Sequence, residues 1–280
     1  MVRPFRAVTG AASVLLACLI CFITGVATGQ SLTPPPQASG YRLAFQDNFR
    51  ALDLSKDQSG NHTWYPNVFF EHNRPPLENI EASDSGLSLT WRSTQGSSDT
   101  SIETSSPTGK YSHAWKYGYF EVRMKWQAVP GAWPALWMIP VESAQGVDFY
   151  NGQHDSGEVD IFEGQGDHPS TFYGTIHHWI GGKQVESSGD GPPRNAFGLS
   201  YRNDFSQYHT YGLLWEPGKM TWFYDDKPLH SEKTYPVFDR RRYMLILAMQ
   251  EGAKWVAGDR SGVSANAMTM KVDWVRVWQK

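Results

Sequence analysis

Polar and apolar positions alternate in short runs along most of this chain. Between Tyr119 and Trp126, Phe120, Val122, Met124 and Trp126 alternate with Tyr119, Glu121, Arg123 and Lys125. That period of two is the mark of a half-buried strand. Similar stretches are GLSLTW (86–91), TFYGTIHHW (171–179), YHTYGLLWE (208–216), KMTWFYDD (219–226), YMLILAMQ (243–250) and MTMKVDWVRVW (268–278). All are rich in β-branched and aromatic residues and bounded by Gly, Pro, Asp or Asn. Asp225 and Asp226 mark a turn between two strands. No long stretch carries the i, i+3, i+4 apolar spacing of a helix. The pattern predicts an all-β fold, a sandwich or jelly roll of two antiparallel sheets.

Two segments depart from it. Arg3 and Arg6 precede the apolar run AASVLLACLICFITGVA (11–27), and small residues follow at Ala27 and Gly29. A charged start, an apolar middle and a small-residue exit read as a signal peptide over residues 1–29. The rival reading is an uncleaved anchor, for which the run is marginal in length. SLTPPPQASG (31–40) reads as a stiff exposed linker, so residues 30–40 join the leader to one domain, 41–280.

Composition adds three points. Both cysteines, Cys18 and Cys21, lie in the leader, so the mature chain has no disulfide and no cysteine nucleophile. Removing Arg3 and Arg6 takes the net charge from −3 to −5, which gives no reason to expect a nucleic-acid partner. With 12 Trp, 13 Tyr and 14 Phe, there are rings enough for a core and for stacking on sugars. A secreted monomer is the expectation, with a polysaccharide as partner and no membrane contact in the mature form.

The candidate chemistry lies in GEVDIFEGQG (157–166). On a strand Glu158 and Asp160 share a face, whereas strict alternation sends Glu163 to the core, where an unpaired carboxylate is costly. A β-bulge near Ile161–Phe162 shifts the phase and brings all three acids to one face. Three readings meet such a cluster: a solvated acidic face, a calcium site, or the paired carboxylates of a retaining glycosidase, held about 5–5.5 Å apart.

The run Glu-Val-Asp-Ile-Phe-Glu resembles the Glu-x-Asp-x-x-Glu signature of glycoside hydrolase family 16, in its laminarinase-like branch with the bulge. YGYFEVRMKWQAVPGAWPALWMIP, YGTIHHW, YHTYGLLWEPGKMTWFYDD and VDWVRVW also resemble that family's segments, in its order. The resemblance implies a curved, concanavalin A-like jelly roll with the active strand across its concave face. It implies Glu158 as nucleophile, Asp160 as its assisting acid and Glu163 as general acid/base. Trp133, Trp137 and Trp255 match aromatics near the sugar, although Trp137 fits a core position equally well. His177 resembles the histidine beside the acid/base, and His178 is its rival. No cofactor is implied for the reaction. A structural calcium is, with Gly86 and Asp273 in its positions, and a plain surface acid is the other reading of Asp273. Ala248–Gly252 departs from the small-residue pattern of the laminarinases, so the reaction is better marked than the sugar. The implied substrate is a β-1,3- or β-1,3-1,4-glucan, with a galactan or an acidic exopolysaccharide as alternatives. A jelly roll that binds glycan without cleaving it is the non-enzymatic reading. Arg240–Arg242 could meet an anionic sugar or simply be a solvated strand end.

Overall fold

The computed structural model describes residues 32–68, 74–93, 99–145, 155–168, 171–187, 197–198, 204–252 and 266–280. Residues 1–29, read as a leader, lie outside the described residues. The chain divides into two compact units, Met1–Thr33 and Pro34–Lys280; the fold below is that of the second.

Seventeen strands are described: β1 (Arg42–Asp47), β2 (Tyr65–Pro66), β3 (Ile80–Ser83), β4 (Gly86–Arg92), β5 (Thr100–Glu103), β6 (Ala114–Trp115), β7 (Gly118–Trp126), β8 (Ala132–Pro140), β9 (Ser156–Gly164), β10 (Thr171–Ile180), β11 (Lys183–Ser187), β12 (Phe197–Gly198), β13 (His209–Glu216), β14 (Lys219–Tyr224), β15 (Lys227–Lys233), β16 (Tyr243–Glu251) and β17 (Ala267–Gln279). One sheet runs β15-β14-β13-β7-β17-β4-β3, with β1 on β17. The other runs β11-β10-β9-β8-β16-β5-β2, with β12 on β10 and β6 on β16. Neighbours such as β7 and β17, or β8 and β16, are far apart in sequence. This is the two-sheet antiparallel jelly roll that the pattern predicted.

The alternation in β7 does what its period implies. Phe120, Val122, Met124 and Trp126 enter the core between the sheets, where they meet Leu136, Met138, Val159 and Phe162 of the second sheet. Trp64, Trp126, Trp215 and Trp222 are all buried there. The Asp225–Asp226 turn is tight, with both residues at positive φ (44° and 63°). Aspartate tolerates that conformation better than most residues.

The proline-rich stretch read as an exposed linker is partly built into the domain. Pro36–Ala38 forms a 3₁₀ turn, and Ala38 is buried beside Tyr119, Phe223 and Trp278. Gln37 donates from Nε2 to Tyr119 Oη at 2.7 Å and to Asp226 Oδ1 at 2.9 Å. The prolines preset φ.

Glu103 in β5 is fully buried. Its neighbour Asn67 offers a polar contact, but neither carboxylate oxygen reaches a well-formed hydrogen bond. Burial pushes this carboxyl up to about 8, from an ordinary 4.5. The folded state therefore holds a proton that the unfolded chain releases, and stability is lost as pH rises from about 4.5 to 8. At 1.36 kcal/mol per unit, the loss is on the order of 5 kcal/mol. Glu103→Gln should abolish that part of the loss. Urea unfolding at pH 5 and pH 8.5 would show it as a smaller difference in the variant, and an unchanged difference would refute the assignment.

Candidate active site

Strand β9 lies between β8 and β10, and its bulge is where the sequence placed it. Leu136 pairs with Phe162 and Trp137 with Asp160, so Ile161 is the extra residue on the β8 side. On the other side Tyr173 pairs with Glu163 and Thr175 with Asp160. Ile161 and Phe162, consecutive in sequence, both enter the core. Glu158, Asp160 and Glu163 then share the outward face of the second sheet with Ala135, Trp137, Tyr173, Thr175 and His177, their cross-strand partners.

The opposite sheet holds the bulge in place. Trp222 of β14 crosses the core and donates its indole Nε1–H to the backbone carbonyl of Asp160 at 2.9 Å. Gly174 makes room for that ring: a Cβ there would fall 2.4 Å from Trp222 Cδ1 and Nε1. The glycine in TFYGTIHHW is thus required by a close approach.

The acids differ in environment. Glu163 is 8% exposed and its Oε1 accepts a hydrogen bond from Trp133 Nε1 at 3.0 Å. Burial pushes its carboxyl well above the ordinary range, and the charges of Asp160 and Glu158 push the same way. Asp160 lies 3.2 Å, Oδ2 to Nε2, from His177. Burial opposes a charge on His177, but the hydrogen bond and charge of Asp160, with help from Glu158 and Glu163, outweigh it and raise the imidazole to about 9. Polar atoms of Glu158, Asp160 and His177 lie within 4.8 Å of one another. The number of donors would suit a cation, yet one of them is itself held as a cation near neutral pH. An imidazole whose protonated form the neighbouring acids favour thus sits against Asp160, beside a carboxyl that burial pushes toward its protonated form. Such a pair of groups suits general acid catalysis next to a negatively charged nucleophile.

The remaining expected residues are placed as follows. His177 is on the acids' face, 3.2 Å from Asp160, and close enough to Glu163 for the two to act on each other's charge. His178 points the other way and stacks on Tyr235, ring centroids 3.9 Å apart. Trp137 is on the acids' face yet only 5% exposed, packed with Ala135, Ile139, Met244, Ile246 and Ala248. It is a packing residue of that face, not an open platform. Trp255 lies outside the described residues. Gly86 and Asp273 are neighbours: a Cβ on Gly86 would fall 3.2 Å from Asp273 Cα. The Asp273 carboxylate, however, is paired with the Arg123 guanidinium. Calcium takes six to eight oxygens, and one carboxylate already held by an arginine does not fit that need. Of the basic triplet, Arg240 bonds Asp155 Oδ2 and Arg241 bonds the Asp155 carbonyl, while Arg242 is exposed.

Two residues escaped the sequence reading. Trp179 stands beside His177, ring centroids 6.1 Å apart. Tyr173 donates from its hydroxyl to Gln165 Oε1 at 3.3 Å, next to Glu163. Both follow from period two along β10 once His177 is assigned to the acids' face.

Comparison with known proteins decides the family. Residues 73–276 match the model of the family "Glycosyl hydrolases family 16". The chain belongs to glycosyl hydrolase family 16. It is a glycoside hydrolase, and laminarinase-like glucanases are among its relatives. A β-glucanase of Rhodothermus marinus is 28% identical over 262 residues, covering 87% of each chain. The glucan endo-1,3-beta-glucosidase A1 of Niallia circulans is 29% identical over 275 residues, 88% of this chain, which spans 39% of that relative's length. The laminarinase catalytic domain of Thermotoga maritima superposes with a TM-score of 0.64 at 22% identity, over 86% of this chain and 98% of that one. The last confirms the jelly roll of this family 16 hydrolase.

Proposed function

We propose that this family 16 hydrolase is an exported, endo-acting, retaining glycosidase that cleaves a β-1,3- or β-1,3-1,4-glucan. One observation supports the mechanism above others: the bulge at Ile161 sets three acids on one face, one of them buried enough to stay protonated. In the first step a Glu158 carboxylate oxygen attacks the anomeric carbon. The bond to the leaving oxygen breaks as Glu163 gives that oxygen its proton, and a glycosyl ester on Glu158 remains. In the second step the Glu163 carboxylate takes a proton from water, whose oxygen attacks the same carbon and frees Glu158. Asp160, neutralised by His177, orients and tunes Glu158 without competing for the sugar.

The glucanases among its relatives support the substrate. Export rests on the leader-like pattern of residues 1–29. Among the described residues no helix is long and apolar enough to cross a membrane.

Reducing-sugar release from laminarin, lichenan, agarose, carrageenan, galactan and an acidic exopolysaccharide tests the reading, with Glu158→Ala as control. Release from laminarin or lichenan that vanishes in the variant is the expected result. Release only from a galactan or an acidic polymer would keep the chemistry and overturn the glucan. Binding without release across the panel would favour a non-catalytic jelly roll.

A further inference from the structure

The first sheet carries a second polar surface on the opposite side of the sandwich from the acids. Phe120, Val122, Met124 and Trp126 of β7 face the core, so Arg123 and Lys125 face outward. In β17, Met268, Met270 and Val272 face the core, so Thr269 and Lys271 face outward. Lys125 and Lys271 pair directly across the two strands. Like charges directly opposite on one face of a sheet repel. Among the described residues neither lysine is paired with a carboxylate: Asp273 is taken by Arg123, and Asp204 accepts from Ser206 N and Oγ within its own turn.

The lysines border a cavity of about 300 Å³, lined also by Trp126, Gln127, Ser206 and Thr269. That is room for one sugar residue. The lining includes the hydroxyls of Ser206 and Thr269, which already bond Asp204 Oδ1 and Thr90 Oγ1 and keep lone pairs with which to accept from a sugar hydroxyl. Gln127 accepts from Thr269 N through Oε1 at 3.1 Å, which turns its amide N–H groups to other partners. Tyr208 lies under the cations, with Lys125 Nζ 4.8 Å and Arg123 Cζ 4.7 Å from the ring centroid. These contacts hold the long side chains over one spot.

We propose that this pocket is a second carbohydrate site, remote from the acids, which takes the carboxylate or sulfate group of an acidic sugar residue between Lys125 and Lys271. The anion relieves the cross-strand repulsion, while Gln127 and the two hydroxyls meet ring hydroxyls. The size of the pocket and its neutral polar lining favour a sugar over a membrane surface or a nucleic acid, which need a broader basic field than this negatively charged chain presents. The proposal does not depend on which glucan is cleaved, since the lysines touch none of the acids.

The test is affinity electrophoresis of the full chain through gels containing dextran sulfate or neutral dextran, with Lys125→Gln/Lys271→Gln as the variant. Retardation by dextran sulfate alone is expected, weakened about tenfold in the double variant because two exposed ion pairs are lost. Reducing-sugar release from laminarin should not change, and the thermal midpoint should hold or rise as repulsion is removed. Equal retardation of the variant would overturn the site. Equal displacement by inorganic sulfate at matched sulfate concentration would reduce it to a free-anion site and overturn the sugar. Equal loss of binding to a DNA duplex in the variant would show an unselective basic patch, also against the proposal.

Discussion

Glu158→Ala should lower laminarin hydrolysis by about 10⁵-fold, the scale seen when a covalent nucleophile is removed. Glu158 is half-buried on the outward face of β9, so shortening it leaves the core residues Val159, Ile161 and Phe162 in place. Folding should survive, with an unchanged thermal midpoint. The space left by the side chain admits a small anion. Azide should restore part of the turnover with an activated aryl glycoside, and the glycosyl azide should have inverted configuration, because one displacement replaces two. Near-normal turnover in the variant would remove Glu158 from the nucleophile's role. A rescued product of retained configuration would remove double displacement itself.

Glu163→Gln separates the second acid from the first. Leaving groups that need a proton should lose about 10²–10⁴-fold, the usual contribution of general acid catalysis. Dinitrophenyl glycosides, which leave unaided, should keep nearly full glycosylation rates. Equal losses on both classes would contradict an acid's role. The pH profile carries the same assignment with a definite sign. Burial and the charges of Asp160 and Glu158 raise the Glu163 carboxyl, while the positive charge on His177 lowers it. Activity should fall on the alkaline side as Glu163 loses its proton, and that limb should vanish in Glu163→Gln. His177→Gln removes the opposing positive charge, so its alkaline limb should move to higher pH while kcat falls with the loss of Asp160's partner. A shift toward lower pH would contradict the electrostatic arrangement.

Much of this was legible in the sequence, for reasons that particular residues make plain. The alternation of β7 and the bulge of β9 were readable because period two is strict wherever one face is buried. Glu163 in the core would have been too costly to accept. Strand β8 escaped notice because Pro134 and Pro140 interrupt it. The structure accommodates Pro134 by starting the pairing with β9 one residue later, at Ala135, while β16 pairs along the whole of β8. β1 and β5 are short and rich in polar residues, and little in their own pattern sets them apart from loops. The burial of Trp137 and the pairing of Asp273 with Arg123 depend on neighbours distant in sequence, and no local spacing reports them. Trp179 and Tyr173 were within reach, since each lies an even number of residues from His177.

The hydrogen bond from Trp222 to the carbonyl of Asp160 joins the working face to the far side of the molecule. Many enzymes carry their reacting groups on loops that loosen well below the melting temperature, so that heat silences them while the body stays folded. Here the central acid hangs from a ring rooted in the opposite sheet, and Gly174 leaves that ring a single seat. The acids and the sandwich therefore belong to one cooperative unit. Loss of activity on heating is tied to separation of the sheets, and a catalyst of this design stays competent until it melts.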